Sequence, residues 1–323
     1  MDFYIDLNIK GPISMEERRK YHSMMKKAMV KDRWDFDEFF MYEYPNLSTE
    51  QRYSFVPEYE KNIFCDKVNN FHDSLIFESK WKSYCAFKPF YKRDCVLIKN
   101  SVIDETVMAF LSRHGRFLFK PDSAASGYGI EMIFANTAEE AKIEVKKRLA
   151  KKRRGDFVLE EVIIQHPEMA KFHPQSVNTL RIRTFRFDDR VEMLPSCMRI
   201  GIGNSVVDNL GKGGIGASID KDGIVVVACD ETGRYYQRHP DTQEQIVGAK
   251  IPYWEQVVSF AKQLAQVVPS VRYVGWDLAL TESGEWVMIE GNDRAMLVGA
   301  QQPTRKGFRK QLDEIMKEIH IKL

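Results

Sequence analysis

The fold of this chain is set by two apolar runs, Tyr273-Val274-Gly275-Trp276-Asp277-Leu278-Ala279-Leu280 and Glu285-Trp286-Val287-Met288-Ile289-Glu290-Gly291-Asn292. They flank Ser283-Gly284, and this pattern predicts a β-hairpin in which Ser283-Gly284 is a two-residue loop. In that register Asp277 lies directly opposite Glu290, and Asn292, two residues further on, shares their face. A four-residue loop keeps this register, whereas a three-residue loop breaks it.

Two carboxylates that face each other within apolar strands repel, and they are costly to remove from water. A hard cation such as Mg²⁺ relieves both costs because it prefers carboxylate and amide oxygens. The hairpin therefore predicts a Mg²⁺ site at Asp277, Glu290 and Asn292. A solvated sheet edge with incidental acids is the alternative.

A second motif begins at Lys120, which ends a predicted strand and precedes a loop of small residues, 122–129. Small residues let backbone amides approach phosphate oxygens closely, and a lysine adds a point charge. A plain hairpin loop with a surface lysine has the same local pattern. Because Mg²⁺ held by few carboxylates usually also binds phosphates, the two motifs together predict an ATP site. The sequence contains no Walker A, HRD/DFG or GxSxG pattern.

Three further features are assigned no ligand. Residues 211–216 match GxGxxG, but a predicted strand and turn follow them instead of a helix, which excludes a dinucleotide fingerprint. The basic run at 146–154 is interpreted as a solvated helix end, where cations complement the helix dipole. His166 and His173 lack a third zinc ligand nearby, and we assign no zinc site.

Composition limits the class of protein. The 323 residues suit one large or two ordinary domains, and the net charge of +2 gives no strong pull toward nucleic acid or anionic membranes. No run of about 20 apolar residues and no signal-peptide pattern occurs. The five scattered cysteines form no CxxC pair, which favours a reducing compartment. We expect a cytoplasmic protein without nucleic-acid or membrane partners; the oligomeric state stays open.

Helical and strand patterns alternate irregularly, which favours an α+β fold over a doubly wound parallel sheet. At the N-terminus, Ser14 and Glu17 have capping-box spacing, and an apolar stripe with 3- and 4-residue spacing follows them. We therefore expect residues 1–60 to form a helical region.

The motifs together resemble the ATP-grasp superfamily and, more narrowly, the sugar-transfer-associated ATP-grasp family. The resemblance covers roughly residues 60–300. It is carried by Phe119-Lys120-Pro121 with Gly127-Tyr128-Gly129, Leu159-Glu160-Glu161-Val162-Ile163, His166-Pro167, Ser176-Val177-Asn178-Thr179-Leu180-Arg181-Ile182, Arg199-Ile200-Gly201, Asp208-Asn209 with Gly213-Gly214, Gly275-Trp276-Asp277 and Ile289-Glu290-Gly291-Asn292.

The resemblance implies an ATP-grasp fold in which two α+β lobes grip ATP, with ATP and Mg²⁺ as cofactors. Residues 1–60 would be a helical appendage, 61–115 the N-terminal part of the body, 116–164 the small ATP-binding lobe and 165–323 the large lobe with the metal site. Mg²⁺ would be held by Asp277, Glu290 and Asn292. Arg181, Arg199 and Asn209 would face the γ-phosphate and an acyl-phosphate, with His173 as a further polar contact. The nucleotide would be bound by Lys67, Lys120, Ser126, Gly127, Gly129, Glu160, Glu161, Val162, Ile163 and Glu168.

The activity implied by the resemblance is ATP-dependent ligation of a small-molecule carboxylate to an amine through an acyl-phosphate. The family name adds a sugar acid, as in surface-polysaccharide decoration, as a candidate substrate. Two other functions stay open: phosphotransfer to an alcohol, and a non-catalytic ATP-binding module whose helical N-terminus docks a partner.

Overall fold

The computed structural model describes residues 1–123, 128–152 and 155–323; the predicted ligands Ser126 and Gly127 lie outside these ranges. It contains two antiparallel sheets surrounded by helices, which confirms the α+β prediction. The strands are β1 (Cys95–Ile98), β2 (Arg116–Pro121), β3 (Glu131–Phe134), β4 (Phe157–Glu161), β5 (Thr179–Arg186), β6 (Val191–Ile200), β7 (Ile215–Ile219), β8 (Val225–Cys229), β9 (Tyr273–Leu280) and β10 (Trp286–Asn292).

Beyond residue 57, the described residues include five α-helices that the sequence patterns did not predict, at 58–68, 71–74, 80–91, 167–170 and 298–304. None of the described helices is long and apolar enough to cross a membrane. The α-helices are α1 (Asp2–Asn8), α2 (Met15–Lys31), α3 (Phe36–Met41), α4 (Thr49–Ser54), α5 (Glu58–Val68), α6 (Phe71–Ser74), α7 (Lys80–Tyr91), α8 (Glu105–Arg113), α9 (Ala138–Lys151), α10 (Pro167–Ala170), α11 (Trp254–Leu264), α12 (Val298–Thr304) and α13 (Arg309–Glu318).

The smaller sheet has the strand order β1-β4-β2-β3. Helices α8 and α9 pack on it, and Phe110, Phe117, Val145 and Leu159 are buried in the core between them. Since β1 pairs with β4, the segment 61–115 contributes the first strand of this sheet. The larger sheet has the order β10-β9-β5-β6-β7-β8 and carries the predicted metal motif at one edge.

The β9–β10 hairpin differs from the prediction near its turn. Trp286 pairs with Leu280, and the Thr281 amide donates to the Glu285 carbonyl at 2.9 Å. The turn between Thr281 and Glu285 therefore has three residues, 282–284. The predicted two-residue loop is therefore wrong. A register shift between Met288 and Glu290 inserts one residue and brings Glu290 opposite Asp277. The predicted pairing of Asp277 with Glu290 is therefore confirmed, because the bulge shifts the register of the last residues of β10 by one.

The helical N-terminal region is confirmed, but it is no separate appendage. Gln301 of α12 accepts hydrogen bonds from the amides of Val56 (2.9 Å) and Phe308 (3.0 Å). Its side-chain amide donates back to the Val56 carbonyl at 3.0 Å. Val298 joins the buried cluster of Trp34 and other N-terminal aromatic residues. Residues of α12, near the C-terminus, therefore complete the core of the N-terminal helices.

A substitution at Gly307 tests this packing. A Cβ there would collide with the backbone of Ser54 and Phe55, so Gly307→Ala has to separate α4 from the C-terminal helices. We expect a loss of about 1–3 kcal/mol in the free energy of unfolding, measured by urea denaturation. The control is Gly211→Ala, whose Cβ would meet nothing closer than 3.9 Å. Equal stability of the two variants would contradict the close contact.

Candidate active site

A row of charged side chains crosses the larger sheet. The strand register places Asp277 of β9 between Glu290 of β10 and Arg181 of β5. Neighbouring strand residues such as Leu278 and Leu180 are buried in the apolar core, because alternate residues of a strand point to opposite faces. The Arg181 guanidinium grips Asp277 through two nitrogens, and its Nη2–Oδ2 distance is 2.9 Å.

Arg199 of β6 completes this row from the next strand. Its Nη2 lies 2.6 Å from Asp277 Oδ2, and it also donates to Thr179 Oγ1 at 2.9 Å. The Thr179 hydroxyl in turn donates to Asp208 at 2.5 Å, while Asn209 accepts weakly from Arg199 at 3.5 Å. The structure thus brings together the predicted Arg181, Arg199 and Asn209. It adds Thr179 and Asp208, two motif residues to which the sequence analysis gave no role.

Burial and neighbouring charges shift the pKa values of Asp277 and Glu290 in opposite directions. Burial alone would raise the pKa of Asp277, but Arg181 and Arg199 hold it below the ordinary value. The pKa of Glu290 is raised, first by burial and then by the charge of Asp277, although the arginines and Lys80 oppose this. Asp277 is therefore a compensated carboxylate, whereas a negative charge on Glu290 is disfavoured.

The donor set suits a magnesium ion. Glu290 is a buried carboxylate beside the charge of Asp277, and a bound cation would relieve the repulsion between the two acids. Asp277 uses three of about four acceptor positions on the arginines, which leaves room for one more partner. Asn292 Oδ1 accepts from the Arg294 amide at 2.9 Å. Within the described ranges, no three His, Cys, Asp or Glu side chains gather around a metal position. Amide and substrate oxygens would have to complete the shell.

A second charge cluster belongs to the smaller sheet. Glu160 of β4 lies 2.8 Å from Lys120 Nζ and 2.5 Å from Arg93 Nη2, and all three side chains are at most 7% exposed. Burial would raise the pKa of Glu160, but Arg93 and Lys120 outweigh it and lower the value to about 2. Glu160 thus fixes Lys120 in place, a contact that differs from the predicted contact with adenine. Arg93, next to the first strand, was missed because no local pattern marks it.

Lys80, the first residue of α7, links the two clusters. Its amide donates to the Asp122 carbonyl at 3.1 Å, and the Trp81 amide donates to the Asp122 carboxylate at 2.8 Å. Burial and then Lys120 lower the pKa of Lys80, while Glu290 opposes this, so its ammonium lies within electrostatic reach of both. The predicted second lysine, Lys67, instead lies exposed on α5 and donates to the Lys322 carbonyl.

The predicted hinge residues line a cleft of about 250 Å³ beside the second cluster. Glu161, Val162 and Ile163 form one wall, and the β9–β10 turn at 281–283 forms the other. Glu168 lies outside it, exposed on α10 and paired with Lys171 at 3.0 Å. A larger groove, about 500 Å³, lies between α4 and α13 and contains none of the predicted site residues.

The remaining predicted residues lie in loops. The Gly129 carbonyl accepts from Lys152 at 3.2 Å, which ties the end of the basic run to the small-residue loop. His173 is buried and bonded to Ser176 Oγ (2.8 Å) and the Gly203 carbonyl (2.9 Å), which is a structural role. In the glycine-rich stretch, a Cβ at Gly214 would lie 2.8 Å from the carbonyls of residues 208 and 209. That glycine therefore lets the loop with Asn209 pack closely against β7.

Comparison with known proteins gives one sequence match and several distant structural ones. A sequence model of the sugar-transfer associated ATP-grasp family matches residues 93–317, more than half of the chain. No curated protein sequence matches the chain.

The similar solved structures include an ADP complex of purK, N5-carboxyaminoimidazole ribonucleotide synthetase, with 12% identity and a TM-score of 0.44 over 69% of this chain and 47% of that one. The structure of the ATP-grasp ligase PsnB complexed with a minimal precursor has 13% identity and a TM-score of 0.46, and the match covers 94% of this chain and 75% of that one. The D-alanine–D-alanine ligase from Bacillus anthracis has 14% identity and a TM-score of 0.46, and the match covers 80% of this chain and 74% of that one. The chain spans about half the length of the synthetase.

Proposed function

Because the chain belongs to the sugar-transfer-associated ATP-grasp family, we propose that it is an ATP-dependent carboxylate–amine ligase that works through an acyl-phosphate. One observation carries the proposal. The larger sheet presents two acids and two arginines in one row, and Lys80 lies within electrostatic reach of both that row and Lys120. Such a site offers cations for phosphates and oxygens for a metal between two lobes.

In the proposed reaction a carboxylate oxygen attacks the γ-phosphorus of ATP, and the bond to ADP breaks. The amine nitrogen then attacks the acyl carbon, phosphate leaves with the carbon–oxygen electrons, and the nitrogen loses a proton. Arg181 and Arg199 would offset the charge that spreads over the phosphoryl oxygens. Asp277 keeps both guanidinium groups in position before substrate arrives.

Lys80 and Lys120 would hold the nucleotide phosphates, and the hinge cleft would take the base. Mg²⁺, held by Asp277, Glu290 and Asn292, would supply charge neutralisation at the phosphates. The segments 116–164 and 165–323 would then act as the small and large ATP-binding lobes. We propose a sugar acid from surface-polysaccharide synthesis as the carboxylate, on the family description alone. A cytoplasmic location follows from the use of ATP.

A hydroxylamine trap tests the proposal. The purified chain is incubated with ATP, Mg²⁺, hydroxylamine and pools of uronic or amino acids, and ADP and hydroxamate are measured. Carboxylate-dependent formation of both supports ligation, because hydroxylamine intercepts an acyl-phosphate. A phosphorylated alcohol without hydroxamate supports phosphotransfer instead. Absence of ATP turnover with every pool supports a non-catalytic module.

Lysine substitutions test the nucleotide assignment separately. Lys80→Ala is expected to weaken ADP binding by roughly tenfold or more in calorimetry, because it removes a charge-assisted contact to phosphate. Lys82→Ala, on the exposed side of the same helix, and Lys67→Ala are the controls, and both should leave the affinity unchanged. A loss of affinity in Lys67→Ala but not in Lys80→Ala would favour Lys67 as the second phosphate-binding lysine, as the sequence analysis predicts.

A further inference from the structure

The exposed face of α2 carries more cations than acids. Arg19, Lys26, Lys27 and Lys31 are exposed, and none forms an ion pair with any described residue. At about 100° per residue they fall on the side of the helix that faces away from Met25 and Ala28, its buried residues. We call these four residues the basic face.

The aspartates of α1 are already paired, whereas Glu16, exposed one turn before Arg19, offsets part of the positive charge. Helix α1 lies beside α2, and Arg18 pairs with both of its aspartates, with Asp2 at 2.9 Å and Asp6 at 2.5 Å. His22 also contacts Asp2 at 2.9 Å. The positive charge on α2 is therefore larger than the two aspartates of α1 can cancel. The expectation of no membrane partner rested on the nearly neutral charge of the whole chain, which does not reveal this local excess.

Apolar side chains are exposed on both α1 and α2. Val30, which falls within it, is 76% exposed, and Met29 next to it is 48% exposed. On α1, Phe3 (71%) and Leu7 (64%) are one helical turn apart and equally open, while Ile5 points into the core. A nucleic acid or an acidic protein segment would use the cations alone. The headgroup region of a bilayer takes both cations and apolar tips.

We propose that the basic face and the exposed apolar residues of α1 and α2 dock this protein onto an anionic lipid bilayer. The surface lies outside residues 93–317, so the family match assigns it no role. Attachment is peripheral, because the helix keeps its buried side against Trp34 and the rest of the N-terminal core. Whether the protein docks onto membranes is independent of whether it is a ligase.

Vesicle co-sedimentation of the full chain tests this docking. Vesicles of phosphatidylcholine with about 30% phosphatidylglycerol should bind the protein, and pure phosphatidylcholine vesicles should not. Since each lysine near such a surface is worth about fivefold in partitioning, Lys26→Glu/Lys27→Glu should lower binding by roughly tenfold or more. Val30→Ser should lower binding without changing its salt dependence, because it removes an apolar contact only.

The control Lys146→Glu/Lys147→Glu makes the same charge change on exposed residues of α9. It should leave vesicle binding intact, and circular dichroism should show that every variant is folded. No binding to anionic vesicles, or an equal loss in the α9 variant, would overturn the proposal. Tighter binding to a 30-mer DNA duplex than to the vesicles would overturn it in favour of nucleic acid.

Discussion

Glu290→Gln is expected to lower ATP turnover by about a hundredfold or more without lowering the melting temperature. The turnover falls because the substitution removes one of two carboxylates that would hold Mg²⁺. The melting temperature stays equal or rises, because the raised pKa of Glu290 shows that its negative charge is unfavourable in the folded state, and glutamine removes that charge. ADP release and thermal unfolding measure the two effects.

The matched control is Glu285→Gln in the same hairpin. Its carboxylate is exposed and pairs with Lys92 at 2.9 Å, a surface contact of small energetic value. Turnover and melting temperature should both stay near the wild-type values. Turnover of Glu290→Gln equal to that of this control would remove Glu290 from the site. By contrast, Asp277→Asn should also destabilise the fold, since it leaves Arg181 and Arg199 buried without a counter-charge.

Glu160→Gln is expected to give the largest loss of stability, about 3 kcal/mol in the free energy of unfolding at pH 7. The substitution leaves Arg93 and Lys120 buried side by side with no negative charge between them. Urea denaturation gives the size of the effect. Glu161→Gln on the same strand is the control, because glutamine can still accept the hydrogen bond from the Asp94 amide at 2.9 Å.

The pH dependence gives an independent check of the same contact. The folded-state pKa of Glu160 is about 2, below the ordinary 4.5, so its contribution is present above about pH 4.5 and is lost as the pH falls through 2. Wild-type stability should therefore drop over this acidic range more steeply than that of Glu160→Gln. Parallel curves for the two proteins would show that Glu160 is not held by its two cations.

The parts of the site that the sequence predicted lie on strands. Asp277 and Glu290 come together because strand alternation and hairpin pairing are local rules that the sequence carries. Arg181 was predicted only through the family resemblance, since its pairing with β9 is long-range. The predicted turn was wrong because the observed turn has one residue more than the predicted loop, and the bulge before Glu290 offsets that shift. A bulge depends on how the two strands pack, which no local pattern shows.

The proposed phosphate-binding role of Lys80 could not be predicted in the same way. Lys80 reaches the site only because the start of α7 binds Asp122, a contact across 42 residues of chain that no periodicity marks. Lys67 was chosen from its position in the sequence order alone, and its side chain donates to the Lys322 carbonyl near the C-terminus instead. The pairing of Arg93 with Glu160 likewise depends on β1 joining β4.

The core that the N-terminal helices share with α12 has a consequence for synthesis on the ribosome. Helices α1–α4 emerge first, yet Val298 and Gln301, which complete their packing, are made near the end. The N-terminal aromatic side chains must therefore wait, partly uncovered, while most of the chain is translated. Nascent chains that stall before residue 298 should depend on chaperones, and the final closure of the molecule should be a late, long-range folding step.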